Sequence, residues 1–571
     1  MKTYIAFEIE SLHKHDVFSD LDYFFAGTMA LAFNEKNPLV LVSCALVSKS
    51  LSEGHICLDL ASTAGSQKPA SETNPLVLKY PDLETWTQAL KKSSMVSEGL
   101  HTPLVLDSTG KLYLARYFDF QNRLTDNISR RVSLSKIPME KTLTDEILKD
   151  FFPSGANHLL PQKNAVKNAL YNKFTLISGG PGTGKTFVIG IIKTVLPLLS
   201  KKKGQPIQRI VCVASTGKAA SKMEEGSTIH SALRPLVHGP GFYFNQKNPL
   251  NADILIVDEA SMIDLPLLVR LLEAVPLETN IIMTGDKHQL TSIQAGAVFS
   301  DLCAVDELYT HTFTLDYNFR SQGKTGIEKL SKAINEKNIQ DFESLLLSHD
   351  YPDLVFENYH DAKSVMTTLQ NHITEGYGPF GNAKNEEEAL SKIDDFRVLC
   401  AHNKGDYGTL QINHLCEKIL RSLNNSGIEE RPFIRAVMVN SNDYKKGLFN
   451  GDTGVMVEKN GKTTAFFKGL DDKLRQYRYS DLPSHDTAFA ITIHKSQGSE
   501  FDSVLMVIPD RFSPVVTRQL LYTGVTRAKK KVILIGNLDI MKAAIRMNTK
   551  RHSGIQESLG KKLESKYFEK K

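Results

Sequence analysis

Apolar residues in this chain gather into short unbroken runs, each closed by a polar or glycine-rich cluster. FTLIS, beginning at Phe174, passes into GGPGTGKT and then into FVIGIIKTVLPLL, a pattern that predicts strand, loop and helix in succession. RIVCVAS, DILIVDE and NIIMTGD repeat the form, spaced by stretches of helical length. A run that is apolar at every position, not at alternate ones, suits a strand covered on both faces, so these runs predict a parallel sheet with helices on either side. RVLCA at 397–401, AFAIT at 488–492, SVLMVIP at 503–509 and KVILIG at 531–536 predict a second such sheet. Two sheets imply two lobes with a cleft between them. Between the first two runs of the second set, NG and GD turns separate alternating runs and predict a small antiparallel β insert at about 435–485.

Residues 1–150 read differently. Apolar helical stretches alternate there with short strand-like runs such as HICLDL and KLYLARYF, without a phosphate-binding glycine cluster, which suits a docking or scaffold domain. The expected domains are therefore 1–150, a first lobe at 151–325 and a second lobe at 326–571 that carries the insert. The tail KKLESKYFEKK reads as a solvated, frayed end.

Length and composition agree with several globular domains. At 571 residues the chain exceeds what one core supports, and 41% hydrophobic with 23% charged residues excludes a disordered majority. Lys plus Arg exceeds Asp plus Glu by only 69 to 64, a balance compatible with nucleic acid that does not by itself indicate it. Cys44, Cys57, Cys212, Cys303, Cys400 and Cys416 form no CxxC pair, so reduced thiols and a cytoplasmic location are expected. No run approaches the roughly 20 apolar residues of a membrane span, and MKTYIAFEIESLHKHD lacks the apolar core of a signal peptide. The chain is accordingly expected to be soluble, not exported and without a membrane partner.

The strongest chemical signal is Gly179, Gly180, Pro181, Gly182, Thr183, Gly184, Lys185 and Thr186, which match GxxxxGK[ST] between a strand and a helix. Glycines let backbone N–H groups wrap phosphates, and the helix N-terminus adds a positive dipole. Lys185 reaches the β and γ phosphates of ATP, and the Thr186 hydroxyl holds Mg²⁺. Asp258 and Glu259 close the run ILIVDE. An Asp-Glu pair is ordinarily a solvated turn, but at the end of a buried strand that follows a P-loop it points to nucleotide chemistry. Asp258 then serves the Mg²⁺ shell and Glu259 activates the attacking water. Hydrolysis also needs positive charge beyond the γ phosphate. Arg320 in LDYNFRSQ and Arg527 in LLYTGVTRAKK are candidates, although either alone would read as a surface or helix-capping residue.

GGPGTGKT, STGKAAS, IVDEASMID, GDKHQL, YNFRS, TIHKSQGSEFDSV and YTGVTRAKK follow one another across residues 179–530 in the order of the superfamily 1 helicases, which the chain resembles. Within them it resembles the RecD family, the alpha subunits of the RecBCD helicase-nuclease (exodeoxyribonuclease V), in SMID, GLFNGDTGVM and AITIHKSQGSEF. DLDYFFAGTMALAFNEKNPLV, EGHICLDL and PLVLDSTGKLYLARYF look like the part of that family that packs against a partner subunit. STGKAAS departs from the family spelling, which often has a proline before the threonine. The change alters the loop but keeps its hydroxyl and amine.

The resemblance implies an α/β fold of two RecA-like lobes, with a mostly helical N-terminal docking domain and an SH3-like insert in the second lobe. It implies ATP and Mg²⁺ as cofactors, Gln162 reading the adenine, Gln289 sensing the γ phosphate, and Arg320 with Arg527 as fingers from the second lobe. It places Thr216, Lys218 and His230 on the DNA face of the first lobe, and Thr492, His494, Lys495, Ser496 and Gln497 on that of the second. It further implies 5′ to 3′ movement on single-stranded DNA at duplex ends, beside RecB- and RecC-like subunits, in double-strand break repair and recombination. No cluster with nuclease spacing stands out, so any DNA cutting is assigned to a partner. GPGFYFNQ at 239–246 reads either as the turn of a duplex-splitting hairpin or as a surface loop. Two other functions stay open: a free-standing RecD-like helicase, whose usual helix-hairpin-helix repeats are not found, and a non-catalytic assembly subunit. Intact Lys185, Asp258, Glu259, Arg320 and Arg527 stand against the latter.

Overall fold

A computed structural model describes residues 3–5, 9–69, 77–134, 141–153, 155–236, 238–292, 294–319, 325–359, 362–425, 433–443, 445–459, 461–469, 473–547 and 551–569. Helix α1 (Asp20–Phe33) opens on a capping box: Ser19 Oγ accepts the Asp22 N–H, and the Asp22 carboxylate accepts the Ser19 N–H. Helix α2 (Pro38–Ser52) starts on Asn37 with proline in its first turn. The two helices pack around Trp86, which is fully buried and donates its indole N–H to Ser43 Oγ at 2.7 Å. Two small sheets accompany them. One orders Thr3–Ile5, Val77–Lys79 and Gln67–Pro69; the other orders Leu58–Asp59, Lys111–Leu114, Leu104–Leu106 and Val96–Ser97.

Helix α3 (Ala115–Ser133) belongs by packing to the first lobe. Its Phe120, Leu124 and Ile128 share one core with Phe174, Leu255 and Met283 of that lobe. Its Arg131, fully buried, donates to the carbonyls of Leu272, Val275, Pro276, Leu277 and Thr279 around the end of a first-lobe helix. These are carbonyls that no intrahelical N–H reaches, and a guanidinium satisfies several at once. The core therefore runs across residue 150.

The first lobe is built on β1 (Phe174–Gly179), β2 (Ile210–Ala214), β3 (Ser227–Thr228), β4 (Ile254–Asp258), β5 (Asn280–Gly285) and β6 (Thr312–Leu315). Among the described residues they form one sheet, ordered β3-β2-β4-β5-β1-β6, and every pair is parallel. Residues of β1, β4 and β5 are buried throughout, as expected for strands covered by helices on both faces. Helix α4 (Lys185–Lys202) leaves β1 through the glycine-rich loop, α5 (Gly217–Ser221) leaves β2, and α6 (Leu265–Glu273) follows β4.

The second lobe pairs β7 (Leu354–Asn358), β8 (Phe396–Cys400), β14 (Ala490–Thr492), β15 (Phe501–Val507) and β16 (Ala528–Gly536), all parallel, in the order β7-β16-β15-β8-β14. The insert supplies β9 (Phe433–Val439), β10 (Thr453–Lys459), β11 (Lys462–Lys468), β12 (Leu474–Arg478) and β13 (His485–Thr487) as an antiparallel sheet ordered β12-β11-β10-β9-β13. Helices α7 (Arg518–Val525) and α8 (Leu538–Arg546) flank β16 in sequence.

One expectation needs correction, and one left open between two readings falls to the loop. The carboxyl tail is not a frayed end along its described length. Helix α9 (Ile555–Glu569) returns from the second lobe to pack on α3, with Ile555 and Leu559 fully buried in the first-lobe core and Leu563 against it. Those residues stand four apart, so a tail dominated by charge still carries one apolar stripe along a helix. The segment 239–246 forms no β-ladder among the described residues. Isolated bridges Pro235–Phe242 and Asn245–Asn248 close it, and Phe242 and Phe244 pack on the core, so it is a loop folded onto the first lobe.

Candidate nucleotide cleft and nucleic-acid face

The loop after β1 is shaped for an anion. Gly182 and Gly184 take φ of +79° and +91°, and a Cβ on Gly179 would lie 2.4 Å from Thr183 Oγ1, so glycine is required at each. Helix α4 starts at Gly184 with no side-chain cap, which leaves its first N–H groups free to receive phosphate oxygens. Lys185 Nζ donates to Gly179 O at 2.6 Å and Gly180 O at 3.0 Å, so its ammonium lies folded against the loop it serves.

A cavity of about 540 Å³ opens beside this loop, within the range of small-molecule sites. Gly180, Pro181, Gly182, Gly184, Lys185, Thr186, Asp258, Glu259 and Gln289 line it from the first lobe; Gly498, Glu500 and Arg527 line it from the second. The parallel topology accounts for the meeting, because β1 and β4 deliver their carboxyl ends to the same edge with β5 between them.

Asp258 Oδ1 accepts the Thr284 hydroxyl at 2.5 Å and the Glu259 N–H at 2.9 Å. Glu259 stands at φ +51°, a left-handed turn that costs a non-glycine residue about 1 kcal/mol. Burial and the Asp258 charge push its carboxyl above the usual range, while Lys185, Arg527 and Lys222 pull it down. A carboxyl with a raised folded pKa binds more protons folded than unfolded, so ionising it destabilises the fold as pH rises past the ordinary glutamate range. Glu259→Gln is therefore expected to raise the thermal midpoint of the nucleotide-free protein by about 2–4 °C at neutral pH. Thermal unfolding at pH 7.5 and pH 4.5 checks this, since the gain should shrink at the lower pH; a lower midpoint at both would contradict it.

Arg527 is 2% exposed, and its guanidinium is pre-set: Nε donates to Thr523 O at 3.1 Å and Nη1 to Ser499 O at 3.0 Å. Arg320 lies outside the described residues. Gln162, also fully buried, donates Nε2 to Thr183 O at 3.1 Å, and its Oε1 has no protein partner. Gln289 donates Nε2 to Asp286 Oδ2 at 3.0 Å and likewise leaves Oε1 unpaired.

Several cavity residues escaped the sequence reading. Phe319 lines the cavity and donates its N–H to Gly182 O at 3.0 Å; it directly precedes Arg320 in YNFRS, which was the available signal. Lys222 follows Lys218 by one helical turn, and Glu500 follows the QGS of TIHKSQGSE. Tyr522 on α7, which does not line that cavity, donates to Asp286 Oδ2 at 3.0 Å across the seam, a contact that no local pattern announces.

The residues assigned to the nucleic-acid face fall into groups. His230 is exposed, with its ring 5.8 Å from that of Phe242, and Lys495 is exposed with Nζ bonded to Asn440 Oδ1 and Asp486 Oδ2. Thr216 caps α5 by accepting the Ala219 N–H, and Lys218 Nζ pairs with Asp394 Oδ2 of the second lobe at 3.1 Å. His494 is half-buried, and burial pushes its pKa down. Thr492 and Ser496 are buried: Thr492 Oγ1 accepts the Lys495 N–H, and Ser496 Oγ donates to Ile493 O. Gln497 Nε2 reaches the first lobe at Leu290 O, 2.6 Å away.

Family models match three stretches of the chain: the RecBCD enzyme subunit RecD N-terminal domain over residues 14–113, an AAA domain over 162–295 and a UvrD-like helicase C-terminal domain over 487–535. The RecBCD enzyme subunit RecD of Haemophilus influenzae is 31% identical over 658 aligned positions, which cover 97% of this chain and 99% of that one. That of Mycolicibacterium smegmatis is 29% identical, covering 95% and 98%. The ATP-dependent RecD2 DNA helicase of Deinococcus radiodurans is 26% identical, covering 79% of this chain and 59% of that protein. Among solved structures, Pif1 helicase from Bacteroides in complex with ADP-AlF3 and single-stranded DNA is 16% identical, covering 70% of this chain and 92% of that one, with a TM-score of 0.37.

Proposed function

The chain belongs to the family of the RecBCD enzyme subunit RecD and is an ATP-dependent DNA helicase; from that premise we propose that it moves 5′ to 3′ along single-stranded DNA at duplex ends, in the cytoplasm, within a complex of RecB- and RecC-like subunits that serves double-strand break repair and recombination. The observation that carries the reading is the single cavity that joins Lys185, Thr186, Asp258 and Glu259 of one lobe to Arg527 of the other. A triphosphate in that cavity ties the lobes together, and its hydrolysis releases them.

Each residue then has a task. The loop amides and Lys185 hold the β and γ phosphates, and the unpaired Oε1 of Gln162 supplies an acceptor for the adenine amine. Glu259 takes the proton from the attacking water, and Arg527 with Arg320 stabilises charge on the γ phosphate in the transition state. Thr186 and Asp258, a hydroxyl and a carboxylate lining one cavity, are hard oxygen donors suited to Mg²⁺. When bound with the nucleotide, that ion supplies neutralisation of phosphate charge. On the nucleic-acid face, His230, His494 and Lys495 contact backbone phosphates, and Lys218 joins them by exchanging Asp394 for a phosphate. Thr216, Thr492, Ser496 and Gln497 hold the loops that present these groups. Such contacts grip without reading sequence.

Polarity is tested by unwinding duplexes that carry a single-stranded tail on one side. Unwinding of the 5′-tailed duplex alone is expected; equal activity on both, or preference for a 3′ tail, would overturn the direction.

Membership in a larger assembly is supported by α1. Leu21, Phe24 and Leu31 are 71%, 64% and 87% exposed and fall on one side of that helix, while Asp22 and Ala26 are buried on the other. An apolar stripe left open to water is what a partner subunit would cover. Replacing Phe24 and Leu31 together by glutamate should weaken retention of RecB- and RecC-like subunits by about 30-fold or more and leave ATP turnover by the isolated chain unchanged. Co-purification followed by a binding titration checks this. Undiminished retention would mean that another surface, not this stripe, holds the partner subunits, whereas no retention by the unmodified chain would favour the free-standing helicase.

A further inference from the structure

Several side chains of the second lobe converge on one short loop of the first. That loop, Asp286 to Leu290, follows β5 and carries Gln289. Tyr522 Oη donates to Asp286 Oδ2 at 3.0 Å, the Leu290 N–H donates to Thr523 Oγ1 at 2.9 Å, and Gln497 Nε2 donates to Leu290 O at 2.6 Å. Tyr522 also abuts the phosphate loop, since a Cβ on Gly180 would stand 2.9 Å from its hydroxyl.

The consequence lies at Gln289. Asp286 acts as an acceptor in each of these contacts: Oδ1 receives the His288 N–H, and Oδ2 receives both Tyr522 Oη and Gln289 Nε2. An amide that faces such an acceptor must turn its NH₂ toward it, which leaves its carbonyl oxygen on the other side. Gln289 Oε1 is buried and unpaired within the protein, and the residue lines the nucleotide cavity. An acceptor left unpaired in the wall of that cavity gains nothing from phosphate oxygens, which are acceptors themselves. It can bond only a proton donor, and the attacking water is the donor that hydrolysis brings.

We propose that Tyr522 is a positioning residue for hydrolysis: by holding Asp286 from the second lobe, it fixes which face of the Gln289 amide the attacking water meets. Gln289 then orients the water only while the lobes are in register, and separating them releases Asp286 and lets the amide turn its NH₂ inward. The link between lobe movement and chemistry is thus a hydroxyl, a carboxylate and an amide in series. This rests on the reading of the cavity as the ATP-hydrolysing site.

The test uses the full chain with its partner subunits and saturating single-stranded DNA. Tyr522→Phe keeps the ring and loses only the hydroxyl. It should lower kcat for ATP about tenfold while KM for ATP and the thermal midpoint stay close to those of the unmodified chain. In a Gln289→Ala background the same change should cost nothing further, because the residues act as one unit. An unchanged kcat in Tyr522→Phe, or losses that multiply in the double variant, would overturn the relay. No hydrolysis by the unmodified chain sinks the cavity reading itself, whereas normal turnover with an indifferent Tyr522→Phe sinks the relay alone.

Discussion

Lys185→Gln is expected to lower DNA-stimulated ATP turnover by about 10²- to 10³-fold or more. The ammonium now donates to Gly179 O and Gly180 O, neutral acceptors on the loop that encloses the phosphates. Binding a triphosphate exchanges those carbonyls for charged oxygens, and a charge-assisted bond is roughly twice as strong as a neutral one. Glutamine can imitate the carbonyl contacts but brings no charge to the γ phosphate as it leaves. Partner retention should be unaffected, because α1 and α2 pack in a core separate from the one under α4. Steady-state ATPase with and without single-stranded DNA, alongside co-purification, measures both. Normal turnover by this variant would mean that the phosphate loop has been misread.

Arg527→Ala should be more severe in rate and milder in binding. A finger that meets charge developing in the transition state is worth about 10³–10⁵ in kcat, while nucleotide affinity should change by less than about tenfold. Two backbone carbonyls already orient the guanidinium, so little ordering is left for the moment of reaction. Arg527→Lys should fare little better, since an ammonium cannot bond Thr523 O and Ser499 O and also face the cavity with the same fork. Pre-steady-state hydrolysis combined with fluorescent-nucleotide binding separates the two quantities. Equal losses in rate and affinity would indicate a residue that only holds α7 against β15.

The cleft was legible from sequence to the extent that its residues stand next to local patterns. An apolar run followed by GGPGTGKT, and another ending in Asp258 and Glu259, specify strand ends, and a parallel sheet places strand ends at one edge. Long-range pairing was less visible. Nothing near Tyr522 indicates Asp286, and nothing near Lys218 indicates Asp394, because each pair forms only when the lobes meet. Helix α9 was misjudged because lysines and glutamates dominate its composition, while the apolar spacing that buries it becomes informative only once α3 offers a surface. The strand β7 was missed for a related reason: it lies at the sheet edge, and its burial alternates.

Nucleic-acid contacts were the hardest to assign one by one. Thr216, Thr492, Ser496 and Gln497 come from motifs whose residue types suit phosphate contact, yet their side chains are engaged inside the protein as caps, turns or seam bonds. A short polar side chain at a strand end serves both purposes with the same atoms, so composition alone does not separate them. The exposed His230 and Lys495 carry the more direct reading.

The central claim is that one cavity, completed by both lobes, couples ATP hydrolysis to a strand of DNA. Titrating single-stranded DNA into the chain and its partners at saturating ATP tests it most directly. The account predicts turnover that rises about tenfold or more and then saturates as the DNA face fills, with the rise lost in Arg527→Ala. Turnover that ignores DNA at every concentration would contradict it.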